Sequence, residues 1–233
     1  MPKKSQIIGI IFYKHSISKK NLWQFAVLCV AHNKYLSCPM ETISHLHYKI
    51  YKPFGMLSQL SSNDKRQVRT KRFLSELYDF PDGCMPVGRL DEKSEGLLIL
   101  TTDGKLSDTI NQMGIEKEYY AQLDGEITEE AIQVLQEGVE IGFEGKVYQT
   151  KPCRVELLME PPTLPPPDPS LRIGRHRPAS WISITLTEGK FRQARKMTAA
   201  VGFPVLRLIR IRIGTVTLTS MLPGDIIAMT ALL

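Results

Sequence analysis

The pattern of apolar and polar positions changes character at about residue 45. Residues 1 to about 44 show no sustained period, no helix caps and no hairpin signals. Two short apolar stretches stand there, at 7–12 and 25–31. The first follows Lys3 and Lys4 and imitates a signal peptide. It is short, closes on Tyr13-Lys14-His15, and no small-residue cleavage site follows. This segment is expected to be an N-terminal extension, weakly ordered or foreign to the natural product, that adds little to the core.

From His45 the pattern is regular. Residues 45–51 alternate, with Leu46, Tyr48 and Ile50 on one face, and Pro53 and Gly55 stop them in a turn. Residues 70–78 carry Phe73, Leu74 and Leu77 at helical spacing. Residues 95–101 read as a buried strand with one apolar run, Leu97 to Leu100, and Asp103-Gly104 makes the turn that ends it. Residues 117–123 predict a strand in which Tyr119 and Tyr120 face opposite ways, one toward the core and one toward a site. Residues 128–136 predict a helix capped by Thr128, with Ala131, Ile132 and Leu135 inward and Gly138 past its end. Strands are expected at 151–159 and 181–187, then a basic helix at 191–201 closed by Gly202 and Pro204. Strands at 205–213 and 216–218 finish the chain. The second half therefore has the order β-α-β-β-α-β, the split βαβ arrangement. The fold class expected is α+β, a mostly antiparallel mixed sheet with flanking helices.

Composition narrows the class. Of 233 residues, 42% are apolar and 23% charged, which excludes a disordered or collagen-like chain. No run reaches the ~18 apolar residues of a membrane-spanning helix, so no membrane association and a cytoplasmic location are expected. Cys29, Cys38, Cys84 and Cys153 form no C-x-x-C pair, and the histidines complete no zinc pattern. Reduced thiols and no metal are expected.

Charge is segregated. Between residues 171 and 214 stand ten basic residues, eight of them Arg, against the single acid Glu188. Between 116 and 144 stand nine acids against Lys117 alone. A basic region dominated by Arg suits phosphates and base edges, so nucleic acid is the expected partner. Residues 160–170 hold six prolines, which stiffen a surface loop, and Arg172, Arg175, His176 and Arg177 follow at once.

The densest cluster is Gly88-Arg-Leu-Asp-Glu-Lys-Ser-Glu-Gly-Leu-Leu98. Arg89 and Asp91 lie two apart, so in an extended chain both leave on one face, just before the buried strand. Read alone, such an aspartate is most simply a turn residue. Further on, Arg192, Arg195 and Lys196 have the i, i+3, i+4 spacing of one helix face.

This cluster resembles the G-R-L-D-x-x-S-E-G-L-L motif of the RsuA family of ribosomal RNA pseudouridine synthases. Other landmarks follow in the family's order. Tyr51-Lys52-Pro53 with Gly55 is similar to N-K-P-x-G, with Tyr in place of Asn. Lys117-Glu118-Tyr119 is similar to K-x-Y, and Glu188-Gly-Lys-Phe-Arg-Gln-Ala-Arg-Lys-Met197 to E-G-[RK]-x-[HR]-Q-x-R-[RK]-M. Val201-Gly202 is similar to V-G, and Leu208-Ile-Arg-Ile-Arg-Ile-Gly214 to L-x-R-x-x-x-G. The likeness runs from about His45 to the C-terminus. Arg192, where many relatives have His, and the proline-rich insertion resemble the large-subunit pseudouridine synthase E branch, which acts on 23S ribosomal RNA. Many relatives open with an S4-type RNA-binding domain. The first 44 residues are too short for one, as in that branch.

The resemblance implies site-specific isomerisation of uridine to pseudouridine, with no cofactor and no metal. Uracil leaves C1′ of its ribose, turns, and rejoins through C5. Asp91 would be the catalytic aspartate, attacking the sugar or assisting formation of a glycal. Arg195 would pair with Asp91 and keep it ionised and oriented. Tyr119 would stack on the uracil and serve as a base at C5. Leu208 would form an apolar wall, and Arg89 would hold the strand or a phosphate. Arg192, Lys196, Arg175 and Arg177 would hold phosphates around a flipped-out base. The expected partner is ribosomal RNA, 23S in particular, free or in an assembly particle, bound by a monomer. One alternative is a non-catalytic ribosomal RNA-binding or assembly protein of the same fold. Another is a glycosidase-like hydrolase pairing Asp91 with Glu92 or Glu95.

Overall fold

The computed structural model describes residues 45–171, 173 and 177–231. The expectations for residues 1 to about 44, and for Arg172 and Arg175, lie outside the described residues. In chain order the elements are β1 (His47–Lys52), α1 (Lys65–Thr70), a 3-10 turn (Leu74–Glu76), β2 (Met85–Val87), β3 (Glu95–Thr101), α2 (Gly104–Gln112) and β4 (Lys117–Asp124). Then come α3 (Glu129–Glu137), β5 (Glu140–Phe143), β6 (Lys146–Gln149), β7 (Arg154–Leu158), β8 (Ala179–Leu186), α4 (Gln193–Ala200), β9 (Val205–Ile213), β10 (Val216–Thr217) and β11 (Ile226–Met229).

One nine-stranded sheet runs β11-β1-β3-β9-β4-β8-β7, with β2 on β3 and β10 on β9. Every strand pairing is antiparallel except β3 with β9. The spatial order β9-β4-β8-β7 is that of the expected split βαβ unit, and the class is α+β. All seven residues of β3 are buried. Leu97 and Ile99 pack with Ile209, Ile213 and Trp181, whereas Leu98 and Leu100 pack with Ile50, Met56 and Leu74. A strand covered on both faces reads as an apolar run rather than an alternation.

One expectation needs correction, and two elements appear that the pattern did not announce. Residues 70–78 are not a helix. Helix α1 ends at Thr70, its start fixed by Asp64, which accepts from the Arg66 and Gln67 amides. Beyond it the chain is pulled against residues 57–59, through Leu57 N–H to Arg72 O and Leu74 N–H to Gln59 O, both at 2.9 Å. Tertiary pairing overrides the local spacing and leaves one 3-10 turn. Asp103-Gly104 follows the end of β3 as expected, but it leads into a helix the pattern did not announce: the Asp103 carboxylate caps α2 by accepting from the Leu106 amide. The hairpin β5–β6 between α3 and β7 was also unannounced. Its turn is Glu144-Gly145, both at positive φ (50° and 74°), without the usual Asn-Gly or Asp-Gly. Among the described residues, no helix is long and apolar enough to cross a membrane.

Candidate active site

The loop from β2 to β3 is fixed from several sides. Gly88 turns it at φ 69°, and a Cβ there would meet Asn111 Oδ1 at 3.2 Å. The Ser58 hydroxyl donates to Leu90 O (2.8 Å) and accepts from Leu90 N–H (2.9 Å). Ser94 N–H donates to Asp91 O at 3.0 Å, and Gly55 N–H to Glu92 O at 2.9 Å. Asp91 thus stands in a pinned turn, its side chain 25% exposed, at the mouth of the buried strand β3.

Asp91 opens into a cavity of about 470 Å³ shared with Gly88, Arg89, Tyr119, Leu208 and Arg210. Strand register explains the company. Tyr119 on β4 lies opposite Arg210 on β9, and Leu208 is two residues from Arg210, so the three side chains leave on one face. Tyr120 faces the other side, into a second cavity with Tyr51, Ile211 and Arg212.

Arg195 reaches Asp91 from the first turn of α4, Nε standing 4.0 Å from Asp91 Oδ2. Its Nη2 donates to Lys93 O (2.5 Å) and Ser94 Oγ (3.3 Å), and its Nη1 to Val205 O (3.3 Å). Nε itself has no hydrogen-bond partner among the described residues. Burial pulls the Arg195 pKa down, the Asp91 charge opposes this, and Arg192 reinforces it. The guanidinium therefore clamps the turn that carries Asp91 and stands beside its carboxylate without a hydrogen bond to it.

The expected basic face is not formed as the spacing suggested. Arg192 precedes α4 in the left-handed region (φ 53°), so Arg192, Arg195 and Lys196 do not share a helix face. The 189–192 segment must turn before the helix can start, which the i, i+3, i+4 count ignores. Arg192 still lines the Asp91 cavity, as does exposed Arg89. Lys196 Nζ donates to Gly142 O at 2.6 Å and lies over the Phe191 ring. Arg177 is paired with Asp124 at 3.3 Å and is outside the cavity lining.

Three residues of the quoted motifs were given no role and stand in or behind this site. Arg210 is 2% exposed. It donates from Nε to Leu97 O (2.8 Å) and from Nη1 to Arg89 O (3.4 Å), and its Nη2 has no partner among the described residues. Lys117 lines the cavity and donates to Ile115 O at 2.9 Å; burial and Arg210 lower its pKa. Behind the turn, fully buried Lys52 donates to Pro53 O and Met56 O (2.9 and 2.7 Å). Their places in L-x-R, K-x-Y and the 51–53 motif were the available signal.

Neither neighbouring acid is free to partner Asp91. Glu92 binds Lys71 at 2.8 Å. Glu95 is buried against Arg207 (2.6 Å) and accepts from the Tyr51 hydroxyl (3.3 Å). Arg207 also donates to Pro165 O at 2.9 Å, so Tyr51, the residue that departs from the motif's Asn, helps anchor the proline-rich segment. This disfavours a two-carboxylate hydrolase. Among the described residues no three His, Cys, Asp or Glu side chains converge as metal ligands.

The model of the RNA pseudouridylate synthase family matches residues 47–200. The chain belongs to this family. Among pseudouridine synthases, the ribosomal large subunit pseudouridine synthase E of Xanthomonas campestris pv. campestris is 41% identical over 176 residues, 75% of this chain and 90% of that protein. The E-type enzyme of Vibrio parahaemolyticus is 38% identical over 176 residues, 75% of this chain and 69% of that protein. The ribosomal large subunit pseudouridine synthase B of Bacillus subtilis is 29% identical over 188 residues, 80% of this chain and 68% of that protein. A solved structure described as a pseudouridylate synthase superposes with a TM-score of 0.62 at 26% identity, covering 79% of this chain and 70% of that one. Asp91, Tyr119 and Arg195 all fall inside the stretch that the pseudouridine synthase family model matches.

Proposed function

We propose that this pseudouridine synthase isomerises a uridine of ribosomal RNA to pseudouridine, that its substrate is 23S RNA, free or in an assembly particle, and that it works as a cytoplasmic monomer whose catalytic domain spans residues 45–233. The observation that carries the reading is the pinned Asp91 in a cavity with Tyr119 and Leu208, within reach of the Arg195 guanidinium. The cavity has the size of a small-ligand pocket, which suits one uridine turned out of its stack.

In the reaction the C1′–N1 bond breaks, a C1′–C5 bond forms, and the proton leaves C5 while N1 gains one. Nothing is oxidised and no outside group is transferred. Asp91 is the catalytic carboxylate, and Arg195 orients it. Tyr119 stacks on the uracil and serves as base at C5, and Leu208 walls the base. Arg89, Arg192, Lys196, Arg175 and Arg177 hold flanking phosphates.

Incubating the protein with unmodified 16S and 23S transcripts, then mapping pseudouridine chemically, tests this. The expected result is pseudouridine at discrete 23S positions. Binding without conversion would favour a non-catalytic RNA-binding protein, and release of free uracil a hydrolase.

A further inference from the structure

Phe191 has no part in the roles assigned so far, although it stands beside Asp91. Its side chain is 66% exposed. It contributes to two adjoining cavities: that of Asp91 and Tyr119, and a second of about 440 Å³ bounded by Leu57, Gln59 and Lys93. The two share Arg89, Leu90, Asp91, Phe191 and Arg192, so the ring belongs to the ridge between them. The ridge is held in shape. Gln193 N–H donates to Lys190 O, and Lys190 N–H to Gln193 Oε1, both at 3.0 Å. Arg192 fixes the turn at positive φ. Lys196 Nζ lies 5.4 Å from the ring centroid while bonded to Gly142 O. Arg89, Lys93 and Arg192 are exposed around it.

An apolar ring that is solvated, rigidly mounted and ringed by cations has the character of a single-strand nucleic-acid platform. There a cationic track holds the backbone and an aromatic face takes a base. Extracting one base also deprives its neighbour of a stacking partner. We propose that Phe191 is a substrate-positioning residue that stacks on the nucleobase next to the extruded uridine. This rests on the reading that the Asp91 cavity takes a uridine of RNA. The ring replaces the stacking that the neighbour loses and fixes the strand as it enters the cavity.

The test uses the full chain, a 23S transcript, and the variants Phe191→Ala and Phe191→Trp. Phe191→Ala should lose about tenfold or more in kcat/KM, since base–aromatic stacking is worth roughly 1–3 kcal/mol per base. Its thermal midpoint and the salt dependence of its binding should match wild type, because neither the core nor a phosphate contact has changed. Phe191→Trp should restore activity, and its added fluorescence should be quenched on RNA binding relative to wild type. Activity of Phe191→Ala within twofold of wild type would overturn the proposal. So would a tenfold loss that comes with a lowered thermal midpoint and is not rescued by Trp. A wild-type chain that makes no pseudouridine would instead overturn the functional reading beneath it.

Discussion

Asp91 owes its place to bonds that do not touch its carboxylate: two between Ser58 and Leu90, one from Ser94 to its own carbonyl, and one from Gly55 to Glu92. The carboxylate takes no part in holding the turn, and its ion-pair partner is Arg195 at 4.0 Å. The proposed roles therefore separate Arg195 from Arg177, although both sit in the basic stretch. Arg195→Ala should cut turnover of bound RNA about a hundredfold, ~2.7 kcal/mol of barrier, with the salt slope of binding close to wild type. Arg177→Ala should keep turnover and flatten the log K against log salt slope by roughly 0.7–0.9. Measuring both quantities on both variants checks the division. Were Arg195→Ala to flatten the slope and turn over bound RNA normally, the Asp91–Arg195 pair would be wrong.

At the scale of elements, the site depends on how closely β3 and β9 approach. Gly96 pairs with Arg210 at φ 105°, and a Cβ there would fall 2.8 Å from Arg210 N and 2.9 Å from Ile209 Cγ2, and against Arg210 O. Gly96→Ala must push the parallel pair apart or fail to fold, at a cost of about 3 kcal/mol or more. A urea melt within about 1 kcal/mol of wild type, the centre of the ordinary range for point substitutions, would contradict this. Lys52, at the end of β1, adds a pH signature. Burial lowers its pKa from 10.5 to about 7; Glu95, Asp91 and Glu92 resist this and Arg210 assists it. Between those values the unfolded chain carries the extra proton, so stability rises as pH increases above about 7, by up to ~1.4 kcal/mol per unit. Below about 7 both states are protonated and the contribution is flat. Wild type should gain on Lys52→Met from pH 7 to 9 in urea melts; parallel profiles would refute it. Elements whose signal is local were legible in the sequence: the β3 run, the Thr128 cap, the split βαβ order and the motif that holds Asp91. Those set by distant partners were not. Residues 71–74 obey hydrogen bonds to residues 57 and 59, Arg192 obeys the turn before α4, and Arg210 and Lys52 act through carbonyls far along the chain or within a tight turn.

Over the whole molecule, the two charged regions partly neutralise one another away from Asp91. Arg212 bridges Glu116 (3.0 Å) and Glu118 (2.8 Å). Around the Asp91 cavity the balance differs: among the described residues, Arg89, Lys93, Lys190 and Arg192 form no ion pair, and all but Lys93 line that cavity. These unpaired cations supply the positive rim that the proposed passage of a phosphate chain to the carboxylate requires. In the proposed function, Asp91 performs the chemistry and the cationic rim only delivers the RNA. The most direct measurement compares wild type and Asp91→Asn on one unmodified 23S transcript, reading RNA affinity and pseudouridine yield together. The change is nearly isosteric, but an amide is no nucleophile. Affinity and fold should persist while pseudouridine formation disappears. Turnover within about tenfold of wild type, only ~1.4 kcal/mol of barrier, would contradict the assignment.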